Sequence, residues 1–310
     1  MNHGIVIKST GSWFQVRDTG SGLVYACRIR GKMRLSDHKN TNPLAVGDRV
    51  LFTIEETEEG NTGIISEIEK RKNYLVRRSN KLSSLNQIIA SNLDLIIPIV
   101  TLVHPKTSRG FLDRILVTAE AYSIPVLIVF NKRDLYTEQE YSLYENWSET
   151  YQKLGYSTLC LSALNPTEVA GLKSIIEGKT SLICGHSGTG KSTLLNSLDP
   201  GLQIKTAGIS SQHLKGKHTT TFAEMHSLSP STHVIDTPGI RDFGVVHIAK
   251  EEIGHYFPEI RKAMPGCKFN NCYHINEPEC AVLEQVMQGI IDEERFMSYI
   301  SIVEGRDVFR

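Results

Sequence analysis

The chain has 310 residues, enough for two or three domains with well-buried cores. Its 34 lysines and arginines balance 34 aspartates and glutamates, which excludes a global charge that would drive it onto nucleic acid or a membrane; any basic surface must be local. The longest apolar runs, 93–103 and 124–130, are strand-length and too short to span a bilayer, and Met1-Asn2-His3-Gly4 predicts no secretory signal.

Residues 1 to about 72 read as five short strands: 4–8, 13–16, 23–29, 49–54 and 63–68. Turn signals stand at 18–22 and 59–63. Five strands in so few residues predict a small barrel, most economically an OB-fold. Arg28-Ile29-Arg30-Gly31-Lys32-Met33-Arg34 is a basic stripe, and Lys70-Arg71-Lys72 and Arg77-Arg78 follow it. Such a stripe suits RNA phosphates, but it equally suits a solvated strand face, and the residues leave both open.

From about residue 73 strands alternate with helices. A buried strand over 93–100, a helix over 109–122, and strands at 124–130, 157–161 and 234–235 predict an open parallel sheet with ligand loops at its carboxyl edge. The strand Ser181 to Cys184 runs into Gly185-His186-Ser187-Gly188-Thr189-Gly190-Lys191-Ser192-Thr193 and then a helical Leu194-Leu195-Asn196-Ser197-Leu198. Strand, G-x-x-x-x-G-K-[ST] loop and helix make a P-loop. Its amides cradle phosphates, Lys191 reaches the β- and γ-phosphates, and Ser192 ligates Mg²⁺.

Asn131-Lys132-Arg133-Asp134 follows the strand ending at Phe130. A carboxylate there accepts two hydrogen bonds from guanine; adenine offers no such pair, which argues against an adenine-nucleotide kinase. The segment resembles the N-K-x-D motif of GTPases, in which the Asn buttresses the loop and the Lys stem covers the base. Ser162-Ala163 resembles their second base-contacting loop. Asp236-Thr237-Pro238-Gly239 ends another strand: Asp236 can hold Mg²⁺ through water and the Gly239 amide can meet the γ-phosphate. Between them Gly216-Lys217-His218-Thr219-Thr220-Thr221 offers hydroxyls for Mg²⁺, with Thr219 and Thr220 the two candidates. Both segments have the roles of switches ordered by triphosphate.

The base motifs precede the P-loop, whereas ordinary GTPases place them after it. The domain is therefore expected to be circularly permuted, with its second switch a few residues from the next segment. Ile240 occupies the place where many GTPases carry a water-orienting glutamine. His218 is the best substitute, since an imidazole can position or activate water near neutral pH.

The third segment begins near Val245 and is helical at both ends, with 281–302 read as one amphipathic stretch. Between lie Cys267, Cys272, His274 and Cys280, a C-x4-C-x-H-x5-C cluster. Three thiolates and an imidazole match a closed, structural tetrahedral Zn²⁺ site. Cys27, Cys160 and Cys184 stand alone, so no disulfide framework is present and a reducing cytoplasm is expected.

The expected architecture is multidomain: an OB-fold β-barrel (1–72), a circularly permuted α/β P-loop GTPase domain (73–244) and a mainly helical zinc-binding domain (245–310). This order, with the motifs quoted above, resembles the small ribosomal subunit biogenesis GTPase A family over nearly the whole chain. Thr189 stands where that family commonly carries Val. The resemblance implies a late assembly factor that binds the small subunit and its rRNA, hydrolyses GTP to GDP faster when bound, and then leaves, with His218 serving in hydrolysis. An RNA-binding module switched by GTP, with turnover incidental, is the alternative. No heptad pattern points to self-association, so a monomer is expected.

Overall fold

In a computed structural model the described residues are 1–31, 44–57, 60–77, 87–204, 223–237 and 248–306. His218, Thr219, Thr220, Gly239 and Ile240 therefore lie outside the described residues, as do Lys32 to Arg34 of the basic stripe.

Alternation of apolar and polar residues folds the first part into β1 (Asn2–Ser9), β2 (Phe14–Asp18), β3 (Val24–Ile29), β4 (Arg49–Thr57) and β5 (Gly60–Ile68). They pair in the order 1-2-3-5-4, and β4 returns to β1, with β3 and β5 parallel. The closed ring leaves no free edge among these strands, and Val6, Phe14, Val16, Val50, Phe52 and Ile65 fill its interior. The turn expected at 59–63 is shorter than the sequence suggested: Gly60 to Gly63 already pair with β4, because Thr62 and Ile64 keep the strand alternation going. A further hairpin, β6 (Tyr74–Arg77) with β7 (Gln87–Ser91), follows the barrel.

The central sheet holds β8 (Leu95–Val100), β9 (Leu127–Phe130), β10 (Ser157–Cys160), β11 (Thr180–Cys184), β12 (Glu224–Ser227) and β13 (His233–Asp236). Its order is 10-9-8-11-13-12, parallel except for β12. Strand β8 is apolar throughout because both faces are covered: Ile96 and Val100 enter one core, Ile97 and Ile99 the other. Helices α1 (Arg109–Ala121) and α2 (Glu138–Lys153) cover the first face; α3 (Pro166–Ile176) and α4 (Lys191–Leu198) cover the second.

The last segment forms α5 (Pro258–Ala263), α6 (Ala281–Met287) and α7 (Glu293–Val303). The stretch expected as one helix over 281–302 is two. Gly289 turns left-handed at φ 71°, and the Asp292 side chain caps a new start by accepting from the Arg295 amide. Helix α1 is buried on both sides, since Phe111 and Ile115 face the sheet while Val117 enters the core of the last segment.

Candidate active site

Every loop singled out in the sequence, where described, leaves the carboxyl edge of the parallel strands. Strand β11 is the centre, between β8 and β13. From β8 the chain winds outward through β9 and β10, then returns across β8 to β11 and moves the other way. The crevice where the winding reverses is where a ligand binds in sheets of this kind.

The P-loop backbone is held close by its neighbours. Gly185 has φ 149°, and a Cβ there would lie 2.6 Å from the Ile99 carbonyl oxygen. Gly190 has φ 92°, and a Cβ there would meet Asn131 Nδ2 at 2.4 Å. Both positions demand glycine. No side chain caps α4, so its first amides are left for an anion. Thr189 is fully buried and its hydroxyl donates to the His186 carbonyl at 3.0 Å, so the residue that departs from the family's Val fastens the loop from within. Ser187 and Gly188 form the exposed tip, and Ser192 and Thr193 lie half-buried in the first turn of α4. The His186 ring lies 3.8 Å from that of Phe111 on α1.

Asn131 joins three loops. Buried to 1% exposure, its Nδ2 donates to the Thr189 carbonyl at 2.8 Å, and its Oδ1 accepts from the Ala163 amide at 2.9 Å. Lys132 stands in the left-handed region at φ 66° and donates to the His104 carbonyl at 2.8 Å, in the loop after the neighbouring strand β8. Arg133 turns away from the crevice to Glu168 on α3 at 2.6 Å and to the Tyr141 hydroxyl, securing the loop. Asp134 is exposed in the turn Arg133–Leu135, open to a base. The Ser162 hydroxyl accepts from the Leu164 amide, closing the second base loop.

Lys191 Nζ donates to the carbonyls of Gly185 and His186 at 2.7 and 2.6 Å. Burial lowers its pKa, and Asp236 opposes that fall. Burial likewise raises Asp236, against the pull of Lys191. Asp236 Oδ1 is buried with no hydrogen-bond partner among the described residues. An orphaned carboxylate oxygen at a strand end facing a P-loop fits a hydrated Mg²⁺, and Ser192 would join it in that set.

A second cluster lies in the last segment. The ligand atoms of Cys267, Cys272, His274 and Cys280 all lie within 4.8 Å of one another. His274 Nδ1 is 3.6 Å from Cys267 Sγ and 3.4 Å from Cys280 Sγ, and those two sulfurs are 3.9 Å apart. Ordinary zinc bond lengths in a tetrahedron put ligands about 3.6–3.8 Å apart. The cluster fits a metal ion. His255, near in sequence, is exposed and outside the set.

The barrel adds a feature that the basic stripe alone did not reveal. The Arg28 guanidinium stacks 3.8 Å over the Trp13 ring. With Arg30, Thr53 and Thr62 they line a groove of about 890 Å³. Trp13 and Arg28 stand fifteen positions apart in the chain, and the β2–β3 pairing brings them together. A Trp just before a strand in a basic barrel was the available signal.

Fold and site together define a circularly permuted P-loop GTPase: the sheet carries P-loop, base loops and Asp236 around one crevice, with the base loops first in the chain. Family models agree, an RsgA GTPase domain matching residues 68–246 and an RsgA N-terminal domain matching 3–62. The small ribosomal subunit biogenesis GTPase RsgA of Christiangramia forsetii is 49% identical over 304 residues, 98% of this chain and 96% of that one. That of Bacteroides fragilis is 48% identical, covering 98% and 97%. Among solved structures, YjeQ from Thermotoga maritima matches with TM-score 0.78 at 34% identity over 98% of both chains. YloQ, described as a circularly permuted GTPase, matches with TM-score 0.72 at 30% identity over 98% of this chain and 94% of that one. The chain belongs to the RsgA GTPase family.

Proposed function

We propose that this protein hydrolyses GTP to GDP and phosphate as a late assembly factor of the small ribosomal subunit, binding its rRNA and leaving after hydrolysis. Asn131 carries the reading: one buried side chain joins P-loop and both base loops, so phosphate grip and base choice form a single unit. Asp134 selects guanine, with Lys132 over the base and Ser162-Ala163 closing its far side. The amides of Gly185 to Thr193 hold the phosphates and Lys191 leaves its carbonyls to join them. Mg²⁺, when bound with GTP, neutralises phosphate charge; Ser192, Asp236 and either Thr219 or Thr220 are its ligands in this reading. Gly239 meets the γ-phosphate, and His218 orients the attacking water in place of a glutamine.

The barrel supplies rRNA contact through Arg28, Arg30 and Trp13, an aromatic–guanidinium platform that suits an unstacked base. The Cys₃His cluster holds one structural zinc, supported by its ligand spacing. The division 1–72, 73–244 and 245–310 is supported by a core of the barrel's own and by a core centred on the last segment, to which Val117 of α1 adds. A ribosome assembly factor of this kind acts in the cytoplasm, and we take it to be a monomer; the six cysteines form no disulfide, and among the described residues no helix is long and apolar enough to cross a membrane.

The test is GTP turnover with and without purified small subunits. The subunits should stimulate the wild type, and His218→Ala should lose about 10²-fold or more of the stimulated rate. Turnover indifferent to subunits, or to His218→Ala in their presence, rejects the reading.

A further inference from the structure

The barrel reaches the nucleotide site along one row of the joined sheet. Strand β1 of the barrel pairs antiparallel with β12, Lys8 opposite Glu224. Strand β12 pairs antiparallel with β13, Glu224 opposite Asp236. Directly opposed residues share a face of the sheet with Cβ atoms about 5 Å apart, so Lys8, Glu224 and Asp236 stand side by side. Glu224 and Asp236 are a like-charge pair, an arrangement that costs stability when nothing offsets it. Lys8 offsets it: its Nζ lies 2.8 Å from Glu224 Oε2, and both side chains are about two-thirds buried, at 29% and 33% exposure.

We propose that Lys8 is a positioning residue for the nucleotide site, acting through Glu224 on Asp236. By holding the Glu224 carboxylate toward the barrel, it keeps a second negative charge away from the oxygen that would face the bound nucleotide's Mg²⁺. Any displacement of β1 relative to β12 then alters the field at the site, so the barrel communicates with the nucleotide by charge as well as by main-chain pairing. The inference rests on Asp236 serving the nucleotide site as proposed above.

Lys8→Met frees Glu224 to turn toward Asp236. Binding of the polyanionic guanosine diphosphate then weakens without Mg²⁺ and weakens less with it, because the divalent cation offsets the added charge. The measurement is the dissociation constant of a fluorescent GDP analogue in EDTA divided by that in Mg²⁺. This ratio should rise on the order of three- to tenfold in Lys8→Met. It should stay at the wild-type value in Lys8→Arg, which retains the charge. In a Glu224→Gln background, adding Lys8→Met should change it less than about twofold, since a residue acting through Glu224 has nothing left to act on. Thermal unfolding of each variant confirms an intact fold. An unchanged ratio in Lys8→Met, a shift as large in Lys8→Arg, or an equal shift in the Glu224→Gln background overturns the proposal. A wild-type protein that binds no guanine nucleotide would instead remove the functional reading itself.

Discussion

The last segment and the barrel both flank the central sheet, and they are attached by different contacts. Arg295 of α7 is buried to 1% exposure and pairs with Asp113 of α1 at 2.6 Å and Glu259 of α5 at 2.8 Å. The Tyr151 hydroxyl donates to the same Asp113 oxygen at 2.8 Å, and Val117 of α1 joins the last segment's core. The barrel meets β12 through the Lys8–Glu224 register pair, about two-thirds buried, a hydrogen bond from Arg17 to the Ser227 hydroxyl, and Ile7, which shares the central core with Met225. Its buried ionic anchor lies elsewhere: Asp48 accepts from Arg71 and from Ser91 of β7. The last segment is thus fastened to α1 by a fully buried ionic network, while the ion pair that fastens the barrel to β12 is partly solvated beside a shared apolar contact. Partly solvated contacts open at lower cost than a fully buried ionic network.

Metal removal should expose this contrast most strongly. A structural zinc site typically contributes folding free energy outright, on the order of 10 kcal/mol in isolated peptides. Metal analysis should find one zinc per chain, and chelation should strip hydrogen-exchange protection from α5 to α7 while β1 to β5 keep theirs. Equal loss in both regions would mean that the barrel depends on the last segment after all. Next in size is Arg295→Ala, which leaves Asp113 and Glu259 buried without their cation. Breaking one partner from a buried ionic network costs about 3–5 kcal/mol, readable by urea unfolding. A loss below about 1 kcal/mol would show that the dock is not the firmer of the two joints.

Much of this was legible in the chain, for physical reasons that also mark where legibility stopped. The P-loop, Asn131 to Asp134, Ser162-Ala163 and Asp236 are short local motifs whose backbone demands are written in glycines and in the apolar strands that precede them. The barrel's five strands showed through their alternation. The β6–β7 hairpin did not, because Tyr74–Arg77 is only four residues long and carries no strong turn dipeptide. The break at Gly289 was hidden in an otherwise continuous helical pattern. Arg133 stands within the base motif, yet its partners Glu168 and Tyr141 come from other helices, so only tertiary structure could show that it secures the loop. The same holds for Trp13 with Arg28, for Asp113 with Arg295, and for the Lys8–Glu224–Asp236 row. Pairings between residues far apart in sequence carry no local signature.

The smallest expected effect is a pH dependence confined to the β12 joint. His233 of β13 accepts from or donates to the Ser227 hydroxyl at 2.8 Å, and Ser227 in turn accepts from Arg17 of the barrel. Burial, with Arg17 adding to it, holds the His233 imidazole below its ordinary value of 6.5. A histidine depressed in the folded state stabilises the joint while neutral. That contribution is whole above about pH 6.5, where even the opened joint leaves the ring unprotonated, and it is lost as pH falls through the folded value. His233 is only half-buried, so solvent screening limits the effect to roughly a few tenths of a kcal/mol. Protection factors for the amides of Glu224 to Ser227 should therefore fall between pH 7.5 and 5.5, with those of α7 as the internal reference. His233→Gln keeps a hydrogen-bonding group but cannot titrate, and should flatten the dependence. If the decline persists in that variant, some other group at the seam is taking up the proton, and the weak joint between barrel and sheet is governed by charges other than the Arg17–Ser227–His233 chain.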